Sequence, residues 1–274
     1  MQRCTAGVHA VTALTQRMLV AGTVITRLSH AEALDLVERR AAAPGRRPLG
    51  LCSANLDHFH HFRPGRNHLG SAVDWVTLAD GAPVVRRGER LTGERWPRVT
   101  GADLLPDVIA VCAEHGFRIG FVGGTPEAHR ALDATLRSTH PGLAIAGYWA
   151  PERDELEDPA ANARLVAELR TAGVTVLVVG LGKPRQEQWI DTWGAETGAG
   201  VLLPFGAAAD FIAGTVDRAP EAWQRADLEW LYRLKQEPRR LARRYLIQGP
   251  PALLRLRGAR LVTSDATSAR GDRP

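Results

Sequence analysis

"VTVLVVGLG", residues 174–182, decides the fold. It is apolar at 174, 176 and 178 and again at 177, 179 and 181, so neither face of a strand there is left for water. A strand buried on both faces belongs to a parallel sheet covered by helices on both sides. The run is also far shorter than the roughly 20 apolar residues that cross a bilayer. Its flanks fit: "DPAANARLVAELRTAG" (158–173) and "PRQEQWIDTWGAETG" (184–198) both have helical spacing.

The same alternation extends in both directions. "LGLCSAN" (49–55), "VDWVTLAD" (73–80), "FRIGFVGG" (117–124), "LAIAGYWA" (143–150) and "GVLLPFG" (200–206) read as strands. "SHAEALDLVERR" (29–40), "LDHFHHF" (56–62), "GADLLPDVIAVCAEHG" (101–116) and "TPEAHRALDATLRSTH" (125–140) read as helices, the first opening on a Ser29–Glu32 capping box. The β-α-β-α order predicts an α/β fold with a Rossmann-like parallel sheet sandwiched by helices. Such sheets bind ligands at the carboxyl ends of their strands. Asp80, Gly123, Gly124, Gly180–Gly182 and Phe205–Gly206 all sit at predicted carboxyl ends, on one rim.

The pattern divides the chain. Residues 1–17 are a poorly patterned extension, 18–215 the α/β catalytic domain, 216–262 a helical, basic C-terminal appendage, and 263–274 a polar, disordered tail. In the appendage Glu237 is the only acid from 233 to 262, against nine Arg and Lys between 233 and 260. On one straight helix Arg233, Arg240 and Arg244 share a face, although Pro238 is able to start a new helix instead.

The 274 residues carry 35 Lys and Arg against 30 Asp and Glu, a net +5 that suits an anionic partner without choosing among nucleotide, phospholipid and nucleic acid. Cys4, Cys52 and Cys112 are widely spaced and form no CxxC, which argues against a zinc site or a disulfide framework and for a reducing compartment. No signal-peptide pattern stands at the start.

Several motifs carry two readings. Gly123–Gly124 before Pro126 is either a phosphate cradle at a helix N-terminus or a tight turn that needs glycine. "VGLGKPRQEQW" (179–189) is neither a dinucleotide fingerprint nor a Walker loop. Gln186 and Glu187 there either read a sugar or base or, for Glu187, answer the helix dipole. Glu152-x-Asp154 loosely resembles a metal-binding DxD box but reads better as a solvated acid run, and His58, His60 and His61 read as an amphipathic helix.

The run "FGAAADFIAGTVDRAPEAWQRADLEWLYRLKQEPRRLARRY" (205–245), preceded by "GLGKPRQEQW", resembles the WecG/TagA/CpsF family of bacterial glycosyltransferases (glycosyltransferase family twenty-six, GT-E type). "SAN" (53–55), "LADG" (78–81), "RVTGADL" (98–104) and "FVGGTPE" (121–127) follow in that family's order. The resemblance implies an inverting transfer of a hexose-type sugar from a UDP-sugar, with neither metal nor cofactor. The sugar would be N-acetylmannosamine, its uronic acid or a related hexose. The implied acceptor is a polyprenyl-diphosphate-linked saccharide in cell-surface polysaccharide synthesis. It also implies a peripheral position on the cytoplasmic face of the membrane, held through the basic appendage, and self-association; no nucleic-acid partner is expected. The family's catalytic aspartate falls on Asp80, its Thr-x-Asn pair on Ser53 and Asn55, its Arg-x-x-Gly-x-Asp motif on Arg98 with Asp103, its glutamine on Gln186, and its appendage arginines on Arg233, Arg240 and Arg243. Ser53 replaces the familiar threonine, and Pro83 stiffens what is usually a more flexible stretch. Two other classes stay open on the residues alone: a nucleotide-sugar epimerase or dehydrogenase, and a non-enzymatic module that binds anionic membrane or nucleic acid.

Overall fold

The structure is a computed structural model that describes residues 16–225, 228–236 and 238–262. Strands β1 (Arg17–Val20) and β2 (Thr23–Thr26) form a hairpin whose two turn residues, Ala21 and Gly22, take φ of 49° and 91°. Two left-handed residues are what a two-residue hairpin loop requires. Next come α1 (His30–Ala42), β3 (Leu49–Ala54), α2 (Leu56–His61), β4 (Asp74–Ala79), α3 (Ala82–Thr92) and α4 (Gly101–His115). They are followed by β5 (Ile119–Gly123), α5 (Pro126–Thr139), β6 (Ile145–Trp149), α6 (Pro159–Thr171), β7 (Val176–Gly180), α7 (Arg185–Trp193), β8 (Val201–Leu203) and α8 (Gly206–Ala213). The expected Ser29–Glu32 capping box starts α1.

Among the described residues nine strands form one sheet in the order β6-β5-β7-β8-β3-β4-β2-β1, closed at its edge by β9 (Arg260–Leu261). From β6 through β2 every pairing is parallel, and only β1 runs against its neighbours. The stretch at 174–182 behaves as its composition requires. Val176 and Val178 are buried on one face with residues of α1, α4, α5 and α8, while Leu177 and Val179 are buried on the other with residues of α6 and α7.

The C-terminal region is α9 (Glu221–Arg225), α10 (Glu229–Gln236), α11 (Pro238–Ala242), a π-helical stretch (Arg243–Gln248) and α12 (Gly249–Leu256). Glu237, between α10 and α11, lies outside the described residues, and the π-helical stretch from Arg243 departs from one uniform α-helix through Arg244. The end of this region also departs from a purely helical appendage through 262. Ala252, Leu256 and Ala259 are buried in a third core with Met18, Ile25, Phe59, Val84 and Trp96, and Arg260–Leu261 adds a strand beside β1. Arg87 of α3 donates to the Arg257 and Ala259 carbonyls at 3.0 and 2.8 Å, and Arg255 donates to the Phe59 carbonyl at 3.5 Å. Burying a leucine such as Leu256 contributes about 1.5–3 kcal/mol. The last helix is thereby fastened to α2 and α3. The sequence divisions at 1–17 and 263–274 fall largely outside the described residues, with Arg17 already in β1.

Candidate active site

With seven strands parallel, their carboxyl ends share one rim. Asp80 stands there directly after β4. Its N–H donates to the Ala54 carbonyl at 2.9 Å, continuing the β3–β4 pairing by one residue. Its half-buried carboxylate accepts from Ser53 Oγ at 3.3 Å and Asn55 Nδ2 at 3.4 Å, both on Oδ2. Asn55 also caps α2: its Oδ1 accepts from the N–H groups of Asp57 (3.1 Å) and His58 (3.3 Å). That cap fixes which end of the amide faces Asp80. Gly81 turns the chain at φ 89°, a conformation that glycine adopts without strain. Pro83 falls in the first turn of α3, where the backbone N–H has no intrahelical partner to lose.

A second side of the rim is built from α4 and the chain after α8. The stretch before α4 lies along β4, with Val99 N–H donating to the Ala79 carbonyl at 2.9 Å. Thr100 caps α4 and donates to Asp103 Oδ2 at 2.9 Å, and Arg218 holds Asp103 Oδ1. Burial pushes the Asp103 carboxyl up, but the hydrogen bonds from Arg218 and Thr100 and the charges of Arg218 and Arg98 outweigh it, so its pKa is lowered. Both Asp103 oxygens therefore have protein partners, and the residue reaches the rim through Arg218. Glu229, at the start of α10, is pushed up by burial and also by the charge of Asp80, against the pull of Arg218, Arg233 and Arg98. Asp80, Arg218, Arg233 and Arg98 are thus all near enough for their charges to act on Glu229. Arg233 lies over the Phe211 ring at 5.6 Å from its centre. Arg243 is exposed, and none of the described contacts ties it to the rim. The Arg240 side chain lies outside the described residues.

The third side is the start of α7. Gln186 and Glu187 are buried, Glu187 completely. Gln186 donates to the Pro204 carbonyl at 2.7 Å and to Glu187 Oε1 at 3.4 Å. The pair lies beneath the rim and ties α7 to the end of β8, which differs from a pair pointing outward to read a sugar. Lys183, between β7 and α7, places its Nζ 3.3 Å from Glu187 Oε1 and 3.4 Å from the Ser53 carbonyl.

The glycines form the floor between β5, β7 and β8. A Cβ on Gly123 would stand 2.5 Å from the Gly180 carbonyl oxygen, and one on Gly206 2.5 Å from the Gly180 Cα. Gly123 and Gly124 have φ of 94° and 83°. Thr125 caps α5 by accepting from Ala128 N–H at 3.2 Å, and His129 Nε2 donates to the Gly123 carbonyl at 2.6 Å. The tight-turn requirement for glycine is therefore present whatever binds there. A recess of about 80 Å³ opens among Gly123, Gly124, Gly180, Gly206, His129 and Asp210. It lies where β5 and β7 send their next strands in opposite directions, the usual ligand crevice of such a sheet.

The remaining motifs find structural uses. Asp154 caps a short turn by accepting from Glu155 N–H at 3.0 Å, and the Glu155 carboxylate accepts from Glu152 N–H at 2.7 Å. His58 is fully buried, stacked on Phe62 at 4.7 Å, and burial holds its imidazole well below the ordinary range. Among the described residues no three His, Cys, Asp or Glu side chains are grouped to hold a metal. Sequence reasoning passed over Arg218 and Glu229. Both lie inside the quoted C-terminal stretch, and no local pattern distinguishes them from other charged helix residues.

A strand-end carboxylate oriented by a hydroxyl and an amide, with guanidinium groups across the rim, is an arrangement suited to group transfer. The model of the Glycosyl transferase WecG/TagA/CpsF family matches residues 18–266, most of the chain, and the chain belongs to that family. It is therefore a glycosyltransferase, which sets aside the epimerase, dehydrogenase and non-enzymatic readings.

Proposed function

We propose that this enzyme transfers a sugar from a UDP-sugar to a polyprenyl-diphosphate-linked saccharide, with inversion and without a metal ion. The sugar is N-acetylmannosamine, its uronic acid or a related hexose. The observation that carries the reading is Asp80, half-buried at a strand end with its carboxylate held by Ser53 and Asn55. Asp80 takes the proton from the acceptor hydroxyl as that oxygen attacks the anomeric carbon. The bond from the anomeric carbon to the diphosphate oxygen breaks on the opposite face, and its electron pair leaves with UDP. Arg98, Arg218 and Arg233 supply positive charge near the rim, where fixed cations can stabilise the leaving diphosphate. The glycine-lined recess beside them suits the nucleotide.

The acceptor's lipid calls for a membrane surface. No helix among the described residues is long and apolar enough to cross one. Leu246 and Ile247 are 64% and 67% exposed, Leu253 and Leu254 are 48% and 58% exposed, and Arg239, Arg243, Arg257 and Arg260 are exposed on the same C-terminal region. Apolar side chains amid arginines fit the interface of an anionic leaflet, here the inner face of the cell membrane. The test is a donor screen with a short-chain prenyl-diphosphate saccharide, following UDP release. Acceptor-dependent release from a UDP-sugar supports the reading. Release only from donors carrying another nucleotide, or only onto water, overturns it.

A further inference from the structure

Lys183 has no role in the mechanism above, yet its ammonium sits beneath the catalytic strand ends. Its side chain is 16% exposed, and that of its partner Glu187 is 0% exposed. From the turn after β7 it reaches across to β3 and donates to the Ser53 carbonyl. Its charge is felt through the residues on either side of Ser53. It adds to the burial that lowers His58 and His61 in α2, and it works against the burial that raises the Cys52 thiol. Ser53 and Asn55, the two residues that hold the Asp80 carboxylate, belong to this segment. On its other side Lys183 meets Glu187, which also accepts from Gln186, the residue anchored to the Pro204 carbonyl after β8. One ammonium therefore links the ends of β3, β7 and β8.

We propose that Lys183 is a positioning residue for Asp80: neutralised by Glu187, it holds the Ser53 carbonyl and so fixes the hydroxyl and amide that aim the carboxylate. The inference rests on Asp80 being the base. A misplacement of about 1 Å at a reacting group costs on the order of 10²-fold in rate, so a small shift of the β3 end is enough to be measured.

The test uses the full chain and compares Lys183→Met, Lys183→Arg and Lys183→Met/Glu187→Gln, with Asp80→Asn as reference. The double variant removes both charges together, so Glu187 is not left as an unpaired buried carboxylate if the single variant fails to fold. The readouts are kcat and donor KM from UDP release, and the UDP dissociation constant by titration. The double variant is expected to lose ~10- to 10²-fold in kcat with UDP affinity and donor KM nearly unchanged. Lys183→Arg is expected to keep most of the wild-type kcat. A folded double variant with wild-type kcat overturns the proposal, as does a loss of kcat matched by an equal loss of UDP affinity, which marks a general structural role. Wild-type turnover in Asp80→Asn would instead remove the base on which the proposal depends.

Discussion

Gly206→Ala tests how the rim is assembled. Gly206 opens α8 directly against Gly180, the last residue of β7, and an added Cβ would lie 2.5 Å from the Gly180 Cα and 3.2 Å from its carbonyl carbon. Ordinary carbon contacts are about 3.5–4.0 Å, so roughly 1 Å must be found. Both obstructing atoms are backbone, and the reverse contact, from a Cβ on Gly180 to the Gly206 Cα, is 3.0 Å. No side chain is available to rotate away, so the β7 end and the α8 start must separate. Overpacking of this kind costs about 1–3 kcal/mol, less whatever helix preference alanine recovers at α8, at most about 1 kcal/mol. A net loss of about 1–2 kcal/mol corresponds to a fall of roughly 2–8 °C in Tm for a chain of this size. Since Gly180 and Gly206 both line the recess, UDP affinity should fall as well. The assay is thermal unfolding with and without UDP, with Gly142→Ala as control, because nothing lies within 4 Å of a Cβ there. Wild-type Tm and UDP affinity in Gly206→Ala would refute the argument.

Other expectations follow from the same geometry. Arg218→Met should cost about 1 kcal/mol in urea unfolding at neutral pH by releasing Asp103. Because the folded Asp103 pKa is lowered, that stabilisation is present above the unfolded value, roughly 3.9, and is lost as pH falls through the folded value. The gap between wild type and variant should thus narrow in acid, and a gap that widens there would contradict the assignment. Turnover should survive EDTA, since arginines supply the charge; loss of activity restored by Mg²⁺ or Mn²⁺ would reverse that reading and return attention to Glu152 and Asp154. Replacing Leu246, Ile247, Leu253 and Leu254 with serine should weaken binding to anionic vesicles by roughly 1 kcal/mol per residue while leaving turnover on a soluble acceptor intact. Unchanged vesicle binding would remove this surface from membrane docking.

The parallel sheet was legible because strands such as Val176–Gly180 are apolar on both faces, a pattern that few other arrangements produce. The β1–β2 hairpin was not assigned: its strands are four residues long, and its turn uses Ala21 in a left-handed conformation that few side chains announce. Helix α3 was obscured by Pro83 and Gly88. Gly88 interrupts the helical pattern for a tertiary reason, because a Cβ there would stand 2.2 Å from the Trp96 ring. Asp80, Ser53 and Asn55 were nameable by motif, and the structure brings them together. The inward orientation of Gln186 and Glu187 was not legible, since it depends on the Pro204 carbonyl eighteen residues on. Nor did the basic pattern of the last helix reveal that Arg255 is tied to Phe59, 196 residues earlier.

The most direct measurement is the turnover of Asp80→Asn set beside its affinity for UDP. The amide keeps the shape of the carboxylate and its place between Ser53 and Asn55 but cannot take up the acceptor's proton. With Asp80 as general base, kcat should fall ~10²–10⁴-fold while UDP binds with nearly its wild-type dissociation constant. A variant that binds UDP and turns over at close to the wild-type rate would contradict the account.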